Sequence, residues 1–131
     1  MTDGPSEHND IQFPILRGES VGESGEFSGV AVIVTTPDEL NREWASNEIA
    51  VLKQSLESHF ISNPGDLDVL FTNVAAVLAE FGEPIGEFAA VAYSREAIGV
   101  VKMDDATSVL EADMHIRVVA MENLGEVFFI D

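Results

Sequence analysis

Leu78–Val101, LAEFGEPIGEFAAVAYSREAIGVV, is the stretch whose reading decides the fold. It reads as the end of a buried strand, a loop carrying Gly82, Pro84 and Gly86, a helix over 87–97 and the start of the next strand at Gly99. Phe88, Val91, Ala92 and Arg95 share one helix face by spacing. Ala89, Ala90 and Ala92 favour a helix that packs closely on a sheet. In α/β domains the loops at strand ends carry polar groups on a rigid frame, and chemistry gathers there. This loop offers Glu83 and Glu87 and contains no His, Cys or Lys.

Working outward, Val30–Val34 (VAVIV) is a β-branched run and predicts a central strand. Glu48–Leu52 and Val74–Leu78 predict two more. Thr35 or Thr36 caps a short helix over 38–45, with Pro37 suited to its first position. Trp44 in that helix is expected to lie over the sheet and report on the core; the alternative, a ligand-stacking role, has no support in the sequence. Leu56 and Phe60, four apart, anchor one helical turn. Asn63-Pro64-Gly65 makes a strong turn, and a short helix over 66–71 tucks Leu67 and Leu70 inward. Towards the N-terminus, 11–16 forms a short first strand. Gly18–Gly29 (GESVGESGEFSG) then reads as a connection between strands, built for tight turns and close backbone approaches. It lacks the GK[ST] or GxGxxG context of a phosphate loop and carries three glutamates. Towards the C-terminus, 104–110 makes a helical turn. His115–Met121 and Glu126–Ile130 pair as a terminal hairpin.

This alternation predicts an α/β fold of the β/β/α kind: a mixed sheet, flanking short helices and a C-terminal hairpin. The sheet would have open edges able to pair. Residues 1–10 are expected to be a flexible acidic arm, and 11–131 a single domain.

Six Lys and Arg face 24 Asp and Glu, a formal net charge of -18. Such a surface repels phosphate backbones and anionic membranes, so the sequence predicts no nucleic-acid and no membrane partner. The acids are dispersed rather than gathered in a tail. With two Lys in the chain, this reads as adaptation to a salty cytoplasm, where a short Debye length screens self-repulsion, in preference to the alternative of an ordinary acidic protein with a basic partner. No apolar run is long enough to span a membrane. The start MTDGPSEHND lacks the basic and apolar regions of a secretory signal, which predicts a cytoplasmic protein. Without cysteine there is neither a disulfide nor a thiolate site.

In order along the chain, Gly25-Glu26-Phe27-Ser28-Gly29, Glu80-Phe81-Gly82, Ala89 with Val91 and Ala92, Val100-Val101, Asp105-Ala106-Thr107 with Leu110, and Gly125-Glu126-Val127 form a pattern. Over roughly 16–130 it resembles the mobile, swivelling phosphohistidine domain of phosphoenolpyruvate-utilising enzymes such as PEP synthase and pyruvate phosphate dikinase. The resemblance implies a swivelling β/β/α domain whose family motif runs T-E-x-G-G-x-x-S-H. Here the second Gly of that motif is Glu83, the Ser is Gly86 and the phosphorylated His is Glu87. The family's Arg is Tyr93, and the Pro of its G-I-P is Ile98. Sliding the helix to match Ser94-Arg95-Glu96 with A-R-E moves the His position to Ala89. Either register lacks the imidazole nucleophile.

The resemblance therefore implies a degenerate, catalytically inactive homologue acting as a binding, regulatory or structural component. It would dock on a protein partner of the PEP synthase or dikinase type and need no cofactor. The alternative is a phosphotransfer component using Glu87 as a non-histidine acceptor. There Glu80, Glu83 and Glu96 would meet the incoming phosphoryl group with like charge, and Arg95 would be the one nearby cation. A third reading, an unrelated enzyme, requires a buried acid with a raised pKa near Glu87. Glu87 otherwise serves as a favourable acid at a helix N-terminus. His59 and His115 read as surface or satisfied core histidines. Asp104 and Asp105 with Glu83 and Glu87 would attract a hard cation, but at this composition they read as a solvated face, and no metal site is predicted.

Overall fold

The structure, a computed structural model, describes residues 13–82 and 86–130, and the side chain of Glu87 is not among the described groups. The arm expected over 1–10 lies outside the described residues. Among the described residues, seven strands close into a barrel: β1 Leu16–Ser20, β2 Gly25–Val34, β3 Glu48–Leu52, β4 Ala76–Ala79, β5 Ile98–Val101, β6 His115–Ala120 and β7 Gly125–Phe129. The order around it is β1-β5-β4-β3-β2-β6-β7, and β7 returns to β1. Strands β2 to β5 run parallel to their neighbours, and the other pairings are antiparallel. The described residues also form the α-helices α1 Glu57–Ser62, α2 Gly65–Asn73, α3 Gly86–Ser94 and α4 Ala106–Val109. None is long and apolar enough to cross a membrane among the described residues.

The strand period of two builds two cores from one sheet. Ile49 and Val51 of β3, Ala76 and Leu78 of β4 and Val118 of β6 point into the barrel, with Leu16, Val100 and Val127. Ala50, Leu52, Val77 and Ala79 face the opposite way, against Leu56, Phe60, Leu67, Leu70, Phe71 and Phe88 of the helical segments. Strands buried on both faces need the continuous apolar sequences that β3 and β4 have. Phe71 and Phe88 meet edge to face at 5.4 Å between ring centroids, which locks α2 against α3.

Closure corrects the expected open, swivelling β/β/α sheet with free edges. The element responsible is β1. Leu16, Arg17 and Gly18 pair with Val127, Glu126 and Gly125 of β7, while Glu19 and Ser20 pair with Val101 and Val100 of β5. One five-residue strand thus covers both edges. Glycine permits it. A Cβ on Gly18 would lie 2.8 Å from Val100 Cγ1 and 2.6 Å from the Val101 carbonyl oxygen, and one on Gly125 would lie 2.5 Å from Val100 Cγ2. The two bare backbones let β1 and β7 wrap over Val100.

Further boundaries differ from expectation: the helix expected over 87–97 runs Gly86–Ser94, and the strand expected over Val74–Leu78 runs Ala76–Ala79. Most of the glycine-rich 18–29 segment is strand, not connection. The first described strand begins at Leu16, where the expected 11–16 strand would end. The helix expected over 38–45 is a 3₁₀ turn, Pro37–Leu40. There Glu39 Oε1 accepts from the backbone N–H groups of Thr35 and Thr36 and from the Thr35 hydroxyl, at 2.7, 3.3 and 3.1 Å. Those donors hold its carboxyl below the usual range. The terminal hairpin is present as β6 and β7, but its second strand also pairs with β1.

Candidate functional site

Four parallel strands end side by side at Val34, Leu52, Ala79 and Val101, the end where α/β sheets place ligands. Among the described residues, the structure does not gather the predicted site residues at this rim. Glu83 lies outside the described residues. Gly86 and Glu87 open α3, and Arg95 follows its last residue, Ser94. At 1.5 Å per residue, Arg95 stands about 12 Å along the axis from Glu87. Its guanidinium is bidentate to Asp68 of α2, with Nε to Oδ1 at 3.0 Å and an Nη to Oδ2 at 2.8 Å. The bonds from Arg95 hold the Asp68 carboxyl below its usual range and raise Arg95 in return. Arg95 is thus engaged with the neighbouring helix.

The rim is organised by Glu80, which in the sequence stands only as part of the Glu80-Phe81-Gly82 piece and as one of the acids around Glu87. Glu80 follows β4, half-buried. Its Oε1 accepts from the Gln54 backbone N–H at 2.7 Å. Its Oε2 accepts from the Thr107 backbone N–H at 2.8 Å and the Thr107 hydroxyl at 2.7 Å. Partial burial works to raise its pKa. The Thr107 and Gln54 donors and the charge of Lys53 outweigh that and leave it below the ordinary carboxylate range. Glu80 so fastens α4 to the end of β4. The segment it fastens is strained: Lys102 and Asp105 are non-glycine residues at φ 56° and 67°. Met103, Ala106 and Leu110 from this segment are buried in the barrel core. The carboxyl-end mouth of the barrel is filled by these side chains.

A second feature lies on the helical side. The 3₁₀ turn with the loop after it, and α1 with α2, enclose a cleft of about 170 Å³. Leu40, Trp44, Val69 and Leu70 form its apolar walls, and Asp38, Asn41, His59, Asp66 and Asn73 supply polar groups. Trp44 is half-buried against the helix-side core, and its Nε1–H donates to the Leu40 carbonyl at 3.4 Å. His59, which reads in sequence as an isolated histidine, has Nε2 at 2.7 Å from Asp66 Oδ2. The amide of Asn63 reaches its Nδ1 at 3.4 Å, consistent with an Nε2–H that donates to Asp66. The turn at Asn63-Pro64-Gly65 brings the pair together, and a His and Asp seven apart across such a turn are the only sequence signal for it. His115 is exposed at the start of β6, beside a shallower depression with Ser28 and Asn47. Among the described residues no three His, Asp or Glu stand together as a metal site.

No protein-family model matches the chain, and no curated protein sequence does. Solved structures match its fold. A solution NMR structure of a UPF0107 protein is 18% identical, with TM-score 0.59, over 92% of this chain and 100% of that one. The crystal structure of Thermococcus kodakaraensis aconitase X in its holo-form is 17% identical, with TM-score 0.54, over 86% and 96%. A structure of MccF in complex with glutamyl sulfamoyl guanosine is 10% identical, with TM-score 0.56, over 88% and 41%. Likeness at these identities is likeness of fold. It corrects the resemblance to the mobile domain of PEP-utilising enzymes: the closed barrel aligns with aconitase X and UPF0107 chains. The ordered sequence pieces that carry the resemblance fall on β2, the end of β4, α3, β5, the α4 turn and β7 of this barrel.

Proposed function

We propose that the chain is a non-catalytic binding component, a small barrel that acts by docking on a protein partner. The filled mouth carries this reading. Where parallel strands commonly present a ligand, Met103, Ala106 and Leu110 occupy the interior, and both oxygens of the acid that fastens them are taken by Gln54 and Thr107. Glu80 and Thr107 at this rim are spent on holding the fold, which favours recognition by the outer surface. A partner of the PEP synthase or dikinase type is implied only by the corrected resemblance. The partner is therefore defined here by chemistry: a protein with a basic contact surface, complementary to a chain of net charge -18.

Intact-mass spectrometry together with light scattering tests this. The protein and its Glu87→Gln variant are incubated at high salt with PEP or ATP, Mg²⁺ and the host's soluble extract. The expected result is unchanged mass and a stoichiometric complex with a basic protein. A gain of one phosphoryl group that disappears in Glu87→Gln would overturn the proposal and make Glu87 a phosphoryl acceptor.

A further inference from the structure

We infer that the cleft beside Trp44 receives one arginine side chain of that partner; the inference rests on the binding reading above. Size decides first. Pockets for whole small-molecule ligands run from about 300 to 1,000 Å³. This cleft is about 170 Å³, the scale of a single inserted side chain. Its chemistry decides next. Leu40, Leu70 and the Trp44 ring offer apolar wall to a methylene stem, and the carboxylates of Asp38 and Asp66 stand at the polar side for a cationic head. The surrounding acidic chain steers cations towards it.

Arginine suits the site better than lysine. A planar guanidinium both stacks on an indole and pairs with a carboxylate, whereas an ammonium is a compact, strongly hydrated charge. The protein already shows the stacking: the guanidinium of its own Arg42 lies 4.8 Å from the Trp44 ring centroid. Arg42 is held there by Glu48, at 3.2 and 3.0 Å, and is not among the residues that line the cleft. On the other wall, the bond from His59 occupies Asp66 Oδ2 and fixes the carboxylate. Val69, 60% exposed at the lip, is an apolar contact that a docked partner would cover. An aromatic floor, flanking acids and a bare aliphatic lip form the setting in which arginine serves as an anchor residue.

Trp44 is the sole tryptophan, so its emission reports on the cleft. Acetyl-Gly-Arg-Gly-amide is titrated into the full chain at about 0.1 M KCl, where the Debye length is about 10 Å, beside its citrulline twin, its lysine twin and agmatine. The arginine peptide is expected to give a saturable change, the citrulline peptide none and the lysine peptide a weaker one. Asp38→Asn and Asp66→Asn should each weaken binding about fivefold, as loss of one exposed charge contact does. Unchanged circular dichroism would confirm that both variants fold. Equal binding of the citrulline peptide, or unchanged affinity in both variants, overturns the inference. Agmatine binding more tightly than the peptide overturns it too and assigns the cleft to a small cation. If a partner complex forms but is as tight with both variants as with the parent chain, the cleft assignment alone falls. If no complex forms, the binding reading itself falls.

Discussion

Glu80 and Thr107, 27 residues apart, are joined by two hydrogen bonds of 2.7 and 2.8 Å that fasten the α4 turn to the end of β4. The bonds pass through one carboxylate oxygen, and the other holds the backbone of Gln54. One side chain therefore ties together three segments that follow three different strands. The segment it ties on carries two left-handed non-glycine residues, Lys102 and Asp105. Such residues persist where the surroundings over-determine the backbone, and Glu80 supplies part of that determination.

Removing the carboxylate should therefore loosen the barrel mouth. Glu80→Ala is expected to lower unfolding free energy by about 1–2 kcal/mol at neutral pH. That is the lower part of the range for charge-assisted bonds, because the group is only partly buried. Glu80→Gln should lose less. The folded pKa lies below the ordinary carboxylate range, so the stabilisation is complete above that range and is lost as pH falls through the folded value. Urea unfolding of parent and Glu80→Gln across this window should show the two curves converging at acid pH. A constant gap would mean that ionisation of Glu80 does not matter.

Closure around Val100 gives a second prediction. Gly125→Ala drives a methyl group towards Val100 Cγ2, with 2.5 Å between centres, and should cost about 1–3 kcal/mol. Val100→Ala makes room for it. The double variant should then be more stable than the sum of the two single losses implies. Additive losses in urea would show that Gly125 and Val100 do not meet.

A third prediction separates a closed barrel from an open sheet. The Ile15 amide donates to the Val127 carbonyl at 2.8 Å, and the Val21 amide to that of Gly99 at 2.8 Å. These bonds lie at opposite ends of β1, one to each neighbouring strand. In a barrel both amides should exchange slowly with deuterium. In an open sheet one of the two would exchange as an edge group.

What the sequence shows plainly is local. Glu48–Leu52 has the strand bounds that its apolar run predicts, and Leu56, Phe60, Leu67 and Leu70 are buried as their spacing requires. Closure was hidden because it depends on what Gly18 and Gly125 face across the barrel. A glycine in a GES or LGE context carries the same local signal whether it turns a loop or clears a neighbour. The Glu80–Thr107 link was hidden for a similar reason: a glutamate after a strand looks like a loop acid until its distant donors are in place. Asp105-Ala106-Thr107 with Leu110 stood out as a motif, but its structural work is to bury Ala106 and Leu110 and offer Thr107 to Glu80. The Trp44 cleft needed the 3₁₀ turn and α2 brought side by side, which no spacing within either segment foretells.

Salt supplies the last prediction, because two electrostatic effects of opposite sign compete here. Arg95–Asp68 and Arg17–Glu126 are attractive pairs at the surface, and screening weakens them. Six Lys and Arg cannot neutralise 24 acids, however, so repulsion among the remaining carboxylates dominates, and screening weakens that more. Between about 0.1 M and about 1 M KCl the Debye length falls from about 10 Å to about 3 Å. The thermal midpoint should rise over that range. The coupling between Arg95 and Asp68, measured by a double-mutant cycle, should fall over the same range. Neutral sucrose separates screening from general exclusion: it should stabilise without reducing the Arg95–Asp68 coupling. A midpoint that falls with KCl would mean that the pairs outweigh the repulsion, and the net charge would no longer explain the chain's composition as adaptation to salt.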